Sequence, residues 1–165
     1  NILYSSGDFH WGTALQRQRR RRQKKALEDG ASEVDMVVNI SDVKNGNYDA
    51  VQAEIAALKK ITGDKILKVI IETCYLTEEE KIAMCKAVTA AGADYIKTST
   101  GFGTAGATLE DIRLFRENIG PDVKMKAAGG VKTVADMEAF LEAGCDRIGT
   151  SSAIQLIQGE QTSGY

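Results

Sequence analysis

The sequence has 165 residues, of which 43% are hydrophobic and 27% charged, with 21 basic and 23 acidic side chains. This mixture can bury a core, so it excludes collagen-like, mucin-like and wholly disordered chains, and the length fits about one domain. No apolar run approaches the ~18 residues that a membrane span needs, and no basic-then-apolar leader opens the sequence. We expect a soluble protein that does not bind membranes.

The cysteines indicate a reducing environment. Cys74, Cys85 and Cys145 are odd in number and lack the Cys-x-x-Cys spacing of zinc sites and redox motifs. We therefore expect neither a disulfide framework nor a metal site, and a cytoplasmic location.

Charge is divided unevenly along the chain. Residues 1–25 hold seven basic residues and one acidic residue, whereas residues 26–165 hold 14 basic and 22 acidic residues. We therefore separate an N-terminal segment, residues 1–25, from a domain over residues 26–165. The basic run between Gln16 and Lys25 could contact the phosphates of a nucleic acid. It lacks interleaved aromatic residues, however, and a solvated helix face is the more common explanation, so we do not expect nucleic-acid binding.

From residue 26 onward, short apolar runs alternate with segments of helical period. Strands are predicted at residues 33–39, 66–72, 95–97, 123–127 and 147–149. Helices are predicted around residues 51–58, after the Thr77-x-x-Glu80 capping box, from Thr108 to the Gly120-Pro121 stop, and from Thr133 to Gly144. This α/β alternation indicates parallel strands buried on both faces, in a (β/α) barrel or a doubly wound sheet. No Gly-x-Gly-x-x-Gly follows the first of these strands, which argues against a dinucleotide-binding sheet.

Charged residues interrupt or end these strands, at the edge where such folds place their chemistry. Asp35 and Glu72 lie in two neighbouring strands, and Lys97 and Lys126 each precede a turn that contains glycine. A lysine attacks a carbonyl only as the neutral amine, so its pKa must be lowered by burial or by a nearby cation. Lys97 and Lys126 could provide that cation for each other, while Asp35 moves protons. The pattern indicates carbon–carbon chemistry through a Schiff base.

Two turns predict a phosphorylated substrate. Gly129-Gly130 follows one strand, and residues 149–152 (Gly-Thr-Ser-Ser) follow the next. Backbone N–H groups and hydroxyls in such turns bind phosphate, and the loops after the last two strands are its usual position in eight-stranded barrels.

Five segments resemble the 2-deoxyribose-5-phosphate aldolase family in order and spacing: EVDMVVNI (33–40), KVIIETC (68–74), YIKTSTGF (95–102), KAAGGVKT (126–133) and RIGTSS (147–152). The resemblance runs from about residue 26 to the C-terminus. It implies a class I aldolase on a (β/α)8 TIM barrel that splits 2-deoxy-D-ribose 5-phosphate into D-glyceraldehyde 3-phosphate and acetaldehyde. No cofactor and no metal would take part, and the enzyme would serve deoxyribonucleoside catabolism in the cytoplasm.

The resemblance also implies roles for individual residues. Lys97 would form the Schiff base, Lys126 would lower its pKa, Asp35 would belong to the proton relay, and the terminal Tyr165 would assist proton transfer. Phe102 stands where some members have a phosphate-contacting lysine and others have phenylalanine. The substrate phosphate would be held by Gly101, Gly129, Gly130, Gly149, Ser151 and Ser152.

The family barrel has eight strands, and only the third to the eighth are matched here, with residues 2–6 in the place of the third. Six strands leave sheet edges unpaired, which favours association, so we expect a homo-oligomer. Two alternatives stay open: a catalytically silent barrel fragment, and another lysine-dependent barrel that binds phosphate.

The N-terminal segment departs from the family pattern. Residues 8–11 (Asp-Phe-His-Trp) stand where the family has Gly-Phe-Pro-Leu-Gly. The codons GGA TTT CCA TTG GGG, read one base later, encode Asp-Phe-His-Trp. We therefore hypothesise that residues from about 8 to 22 are translated out of frame.

Overall fold

The computed structural model describes the backbone of residues 2–5 and 13–150, and the side chains of residues 21–150. The strands are β1 Ile2–Ser5, β2 Glu33–Val37, β3 Ile66–Ile70, β4 Tyr95–Lys97, β5 Lys124–Ala128 and β6 Arg147–Gly149. The helices are α1 Thr13–Glu28, α2 Ile40–Lys44, α3 Tyr48–Thr62, α4 Glu78–Ala90, α5 Leu109–Asn118 and α6 Val134–Glu142, and a 3₁₀ turn covers Thr73–Tyr75.

The six strands form one parallel sheet whose order follows the chain, from β1 to β6. At least one helix separates each strand from the next. This is the order of six consecutive units of a (β/α)8 barrel, whereas a doubly wound sheet reverses direction within the sheet. The predicted fold is therefore confirmed, with β1 to β6 in the places of the family's third to eighth strands.

The helix boundaries follow the local sequence signals. Thr77 and Thr133 each form a complete capping box with the residue three positions later, as predicted. Thr108 caps α5 through its side chain, which accepts a hydrogen bond from the Asp111 N–H. These short-range contacts satisfy backbone N–H groups at the helix starts, so they fix where the helices begin.

The two faces of the sheet differ in character. On β2, Val34 and Met36 are fully buried in the apolar core, which includes Ile55 of α3. Side chains alternate along a strand, so Glu33 and Asp35 lie on the opposite, inner face. The central strands are therefore buried on both faces, as predicted, although the inner face carries charged side chains that pair with one another.

Helix α1 runs through the boundary drawn at residue 25 and contacts β1 and α3. Gln23 on this helix is only 2% exposed, and neither its amide oxygen nor its amide nitrogen has a hydrogen-bond partner among the described residues. A buried amide without partners is unfavourable. Residues 8–11, on which the out-of-frame hypothesis rests, lie outside the described residues, so the division of the chain stays a prediction.

Within the described part of the chain, no helix combines the length and the apolar character needed to cross a membrane.

Candidate active site

The structure brings Lys97, Lys126 and Asp35 together on the inner face of the sheet. Lys97 and Lys126 are direct partners across β4 and β5. The Lys97 amine donates a hydrogen bond of 3.0 Å to Asp35 Oδ2. Three residues that span 91 positions of the sequence therefore form one site.

Only Lys97 among these three residues ends its strand. Asp35 is the third of five residues in β2, and Lys126 is the third of five in β5. Asp35 thus interrupts its strand and Lys97 ends its strand as predicted, whereas the prediction that Lys126 ends its strand was wrong. Strands of a barrel are tilted and staggered, so residues at one depth need not be at equivalent positions in their strands.

A fully buried lysine, Lys68, connects the site to a second carboxylate. Lys68 of β3 is 0% exposed, and its amine donates to Asp35 Oδ1 at 2.8 Å and to Glu33 Oε2 at 2.5 Å. Arg147 of β6 donates to Glu33 Oε1 at 2.7 Å. An unbroken chain of charges therefore runs from Arg147 through Glu33, Lys68 and Asp35 to Lys97.

Lys68, Glu33 and Arg147 were not among the residues predicted for the site. The sequence does contain a pattern that predicts part of this pairing. Glu33 and Asp35 alternate with apolar residues on one strand, and Lys68 lies between apolar residues on the next. Opposite charges on the same face of neighbouring strands favour pairing.

These contacts set the protonation of both carboxylates. Burial would raise the pKa of Asp35, but the hydrogen bonds and positive charges of Lys68 and Lys97 together lower it below its ordinary value. Hydrogen bonds from Lys68 and then Arg147 lower the pKa of Glu33. Both groups are therefore carboxylates at neutral pH, and Asp35 is a hydrogen-bond acceptor in this state.

Lys126 has the opposite environment. Burial, followed by the nearby positive charge of Lys97, lowers its pKa from the ordinary value. It forms no ion pair with a carboxylate of residues 21–150. Lys126 is therefore the lysine whose neutral amine the structure favours.

A cavity of about 420 Å³ opens above these groups, within the size range of small-molecule sites. Both lysines reach it. Its lining consists of Lys97, Thr100, Gly101, Lys126, Ala128, Gly129, Gly149 and Thr150.

The glycines predicted for phosphate lie at or next to this cavity, but they are not equivalent. The Gly129 N–H donates to the Gly149 carbonyl at 3.1 Å, so this N–H is not available to a phosphate. The N–H groups of Gly101 and Gly130 have no partner among the described residues. Gly130 also has a φ of 73°, where side chains are disfavoured.

Gly106 is a further residue that the sequence analysis missed. A Cβ atom there would lie 2.4 Å from the Gly130 nitrogen and 2.5 Å from the Gly129 carbonyl carbon. Only glycine allows the two backbones to approach this closely, so Gly106 fixes the Gly129-Gly130 turn against the loop before α5.

Three predicted residues, Ser151, Ser152 and Tyr165, lie outside the described residues. In the described part of the chain, no group of three or more His, Cys, Asp or Glu side chains is placed to hold a metal ion.

Glu72 also lies at this edge, two residues beyond β3. Its φ is 53°, a left-handed conformation that costs roughly 1–2 kcal/mol for a residue other than glycine. Glu72 is 5% exposed, and its carboxylate contacts Thr100, which lines the cavity. Its place near a strand end was predicted from the sequence, but no function for it was.

Comparison with known proteins agrees with a barrel that carries lysines at its mouth. A family model described as DeoC/LacD family aldolase matches residues 8–153. The chain therefore belongs to this aldolase family.

Individual relatives are more specific. The deoxyribose-phosphate aldolase of Clostridium botulinum (strain Eklund 17B / Type B) is 72% identical over 142 residues, which cover 86% of this chain and 64% of that protein. The solved structure of QR15, an aldolase, is 40% identical with a TM-score of 0.82, and the match covers 92% of this chain and 68% of that chain. The tetrameric deoxyribose phosphate aldolase from Aeropyrum pernix is 29% identical with a TM-score of 0.78, covering 94% and 66%. The chain thus spans slightly less than two thirds of the Clostridium botulinum relative.

Proposed function

We propose that this protein is a deoxyribose-phosphate aldolase that cleaves 2-deoxy-D-ribose 5-phosphate to D-glyceraldehyde 3-phosphate and acetaldehyde, reversibly and through a lysine Schiff base. One observation carries the proposal. Lys97, paired with Asp35, and Lys126, whose pKa is lowered, are partners on neighbouring strands and line the same cavity. The names of the relatives support the choice of substrate.

In this proposal the Lys97 amine attacks the aldehyde carbon of the open-chain sugar, and water leaves to give the iminium ion. The C2–C3 bond then breaks as the C3 hydroxyl loses its proton, and the bonding electrons move toward the iminium nitrogen to give an enamine. Protonation of C2 and hydrolysis release acetaldehyde and restore the lysine. Each step needs a proton to move at a defined position.

The neighbouring groups are suited to these transfers. Lys97 must lose a proton before it can attack, and Lys126, its partner on the adjacent strand, is the second lysine that the family resemblance implies would assist this loss. Asp35 accepts a hydrogen bond from Lys97, so it can steady the protonated nitrogen and relay protons through water.

The remaining assignments belong to the same proposal and rest on the family resemblance. Gly101, Gly129, Gly130, Gly149, Ser151 and Ser152 bind the phosphate, and Tyr165 assists proton transfer. The unpartnered N–H groups of Gly101 and Gly130 support the phosphate role for these two. The name of the tetrameric Aeropyrum pernix relative supports homo-oligomerisation, and we propose a cytoplasmic setting.

Borohydride trapping tests the proposed function. The protein is incubated with 2-deoxyribose 5-phosphate and sodium borohydride over a range of pH, and adducts are located by peptide mass spectrometry. We expect a reduced adduct on Lys97 that is absent from Lys97→Met. Lys65→Met, which changes an exposed lysine, serves as the control and keeps the adduct.

Three other results would contradict parts of this proposal. No adduct at any pH indicates the silent fragment. An adduct on Lys126 reverses the roles of the two lysines. Trapping only with other phosphorylated aldehydes indicates a different lysine-dependent barrel enzyme.

We also propose that residues 1–25 are an aberrant N-terminal segment before the aldolase domain over residues 26–165, with residues from about 8 to 22 translated out of frame. The buried, unpartnered amide of Gln23 supports this proposal. Sequencing the coding DNA tests it: a single-base shift should restore Phe-Pro-Leu in place of Phe-His-Trp. If no such shift exists, the hypothesis is wrong.

A further inference from the structure

Glu72 is a buried carboxylate that the proposed chemistry does not use. No other described residue besides glycine has a positive φ, and the side chain is 5% exposed. Neither Lys97 nor Lys126 donates a hydrogen bond to it among the described contacts. Burial of a carboxylate in an unfavourable backbone conformation persists only when the surrounding structure holds it there.

Besides the Cys74 thiol, which donates to Oε1 at 3.9 Å, the partner of Glu72 is the loop that follows β4, residues 98–103. The Thr100 N–H donates to both carboxylate oxygens, at 3.2 and 3.4 Å, and the Thr100 hydroxyl donates to Oε2 at 2.6 Å. The Thr100 hydroxyl oxygen in turn accepts a hydrogen bond of 3.0 Å from the Phe102 N–H. One carboxylate therefore fixes the loop on either side of Gly101.

The loop also packs directly on this side chain. A Cβ atom at Gly103 would lie 3.0 Å from Glu72 Oε1 and 2.8 Å from Cys74 Sγ. Thr100 and Gly101, in the middle of the loop, line the cavity beside Lys97. Any change in the Glu72 contacts is thus transmitted to one wall of the cavity.

We propose that Glu72 is a positioning residue that holds the 98–103 loop in the conformation that receives the phosphate end of the substrate. The inference rests on the proposed aldolase function and assigns a new residue to that site. Because the Thr100 hydroxyl proton is used on Glu72, the loop presents the unpartnered N–H of Gly101 to the substrate. Glu72 acts through the loop and does not touch the reacting atoms.

The test is steady-state kinetics of Glu72→Gln with 2-deoxyribose 5-phosphate and with unphosphorylated 2-deoxyribose. Glutamine keeps the shape but replaces one acceptor oxygen with an NH₂ group that cannot accept from Thr100. We expect KM for the phosphorylated sugar to rise about tenfold with kcat within about threefold, because hydrogen bonds to a charged acceptor are lost from a binding element. KM for 2-deoxyribose should change little.

Two further variants control this experiment. Asp111→Asn alters a carboxylate that is also 5% exposed but lies on α5 and pairs with Lys81, so it should leave both KM values unchanged. Thr100→Val removes the hydroxyl and leaves Glu72 in place, which keeps the test valid if Glu72→Gln does not fold. The double variant should raise KM for the phosphorylated sugar no further than the more impaired single variant does, since both changes break the same contact between Glu72 and Thr100.

Amide hydrogen exchange of residues 98–103 separates failure of this inference from failure of the proposed function, because it needs no activity. If the wild type is active, a fall in kcat without a KM change, or equal effects in Asp111→Asn, overturns the inference. If the wild type is inactive, the proposed function fails, and hydrogen exchange alone then tests whether Glu72 positions the loop. Faster exchange at Thr100 and Phe102 in Glu72→Gln alone supports the positioning role, and unchanged exchange overturns it.

Discussion

The inner face of the sheet holds two charged layers that differ in how completely their charges are matched. In the lower layer, defined by Glu33, Lys68 and Arg147, every charged group bonds to an opposite charge, and Lys68 bridges two carboxylates although it is fully buried. In the upper layer, defined by Asp35, Lys97 and Lys126, one carboxylate faces two lysines and is shared with Lys68.

The difference lies in partners rather than in residue type. Lys68 and Lys126 lie on inner positions of the same sheet, but only Lys68 has carboxylates within hydrogen-bond distance among the described residues. The pKa of Lys126 is lowered, by burial and then by the positive charge of Lys97. Matched charges build a scaffold, whereas the lysine without a carboxylate partner lies at the cavity, next to the proposed Schiff-base lysine Lys97.

The largest effect is expected from Lys126→Met. Activity should fall about a thousandfold, because a proton-transfer group is removed. The free energy of unfolding should stay unchanged or rise, since Lys126 is half-buried and has no ion pair with a carboxylate of residues 21–150 to lose. Cleavage of 2-deoxyribose 5-phosphate and urea denaturation measure the two quantities. A stability loss as large as that of Lys68→Met would contradict the distinction between the layers.

Lys68→Met is expected to act mainly on stability. Removing it leaves Glu33 and Asp35 without their shared cation, and breaking a buried ion pair from one side costs about 3 kcal/mol. Urea denaturation should show this decrease, whereas Lys65→Met, on the exposed surface, should stay within about 0.5 kcal/mol. A Lys68→Met protein as stable as the wild type would show that the bridge contributes nothing net.

Gln23→Met extends the comparison to a buried polar group that has no hydrogen-bond partner in the described part of the chain. Methionine keeps the volume and removes both unsatisfied amide atoms, so stability should increase by about 1–2 kcal/mol. Thermal unfolding measures the change. Lys24→Met, one residue along the same helix and exposed, is the matched control and should have little effect. A destabilised Gln23→Met protein would mean that this amide is satisfied in solution.

The smallest effect is a pH dependence. The pKa of Lys126 is lowered in the folded state by burial and then by Lys97, and an unfolded lysine titrates at about 10.4. Between these values the unfolded chain binds more protons, so wild-type stability rises with pH there. The stability advantage of Lys126→Met should therefore shrink between neutral pH and about pH 10. An advantage that grows with pH would contradict the lowered pKa.

Much of the fold could be predicted because its signals are local. The capping boxes at Thr77 and Thr133 and the stop at Gly120-Pro121 involve residues within one turn of each other. Strand alternation along a parallel sheet was also sufficient to place Lys97 beside Lys126, since consecutive strands of a barrel are neighbours.

The parts that could not be predicted depend on contacts between distant residues. Lys68 is a single charged residue inside the apolar strand predicted over residues 66–72, and its burial is explained only by carboxylates 33 and 35 positions away. Likewise, the left-handed backbone of Glu72 makes sense only with Thr100, 28 positions later. Whether the Gly129 N–H is available to a substrate also depends on a distant residue, because the Gly149 carbonyl of β6 accepts its hydrogen bond.

The ion pair between Arg147 and Glu33 joins residues 114 positions apart. Contacts this distant in sequence close late in folding, because a long stretch of chain must be ordered before they form. Until β6 docks, Glu33 has only Lys68 to balance its charge, so the interior of the barrel is under-neutralised in any intermediate that lacks the last strand. We therefore expect the sheet to fold slowly and to gain its final cooperativity only when the strand that carries Arg147 arrives.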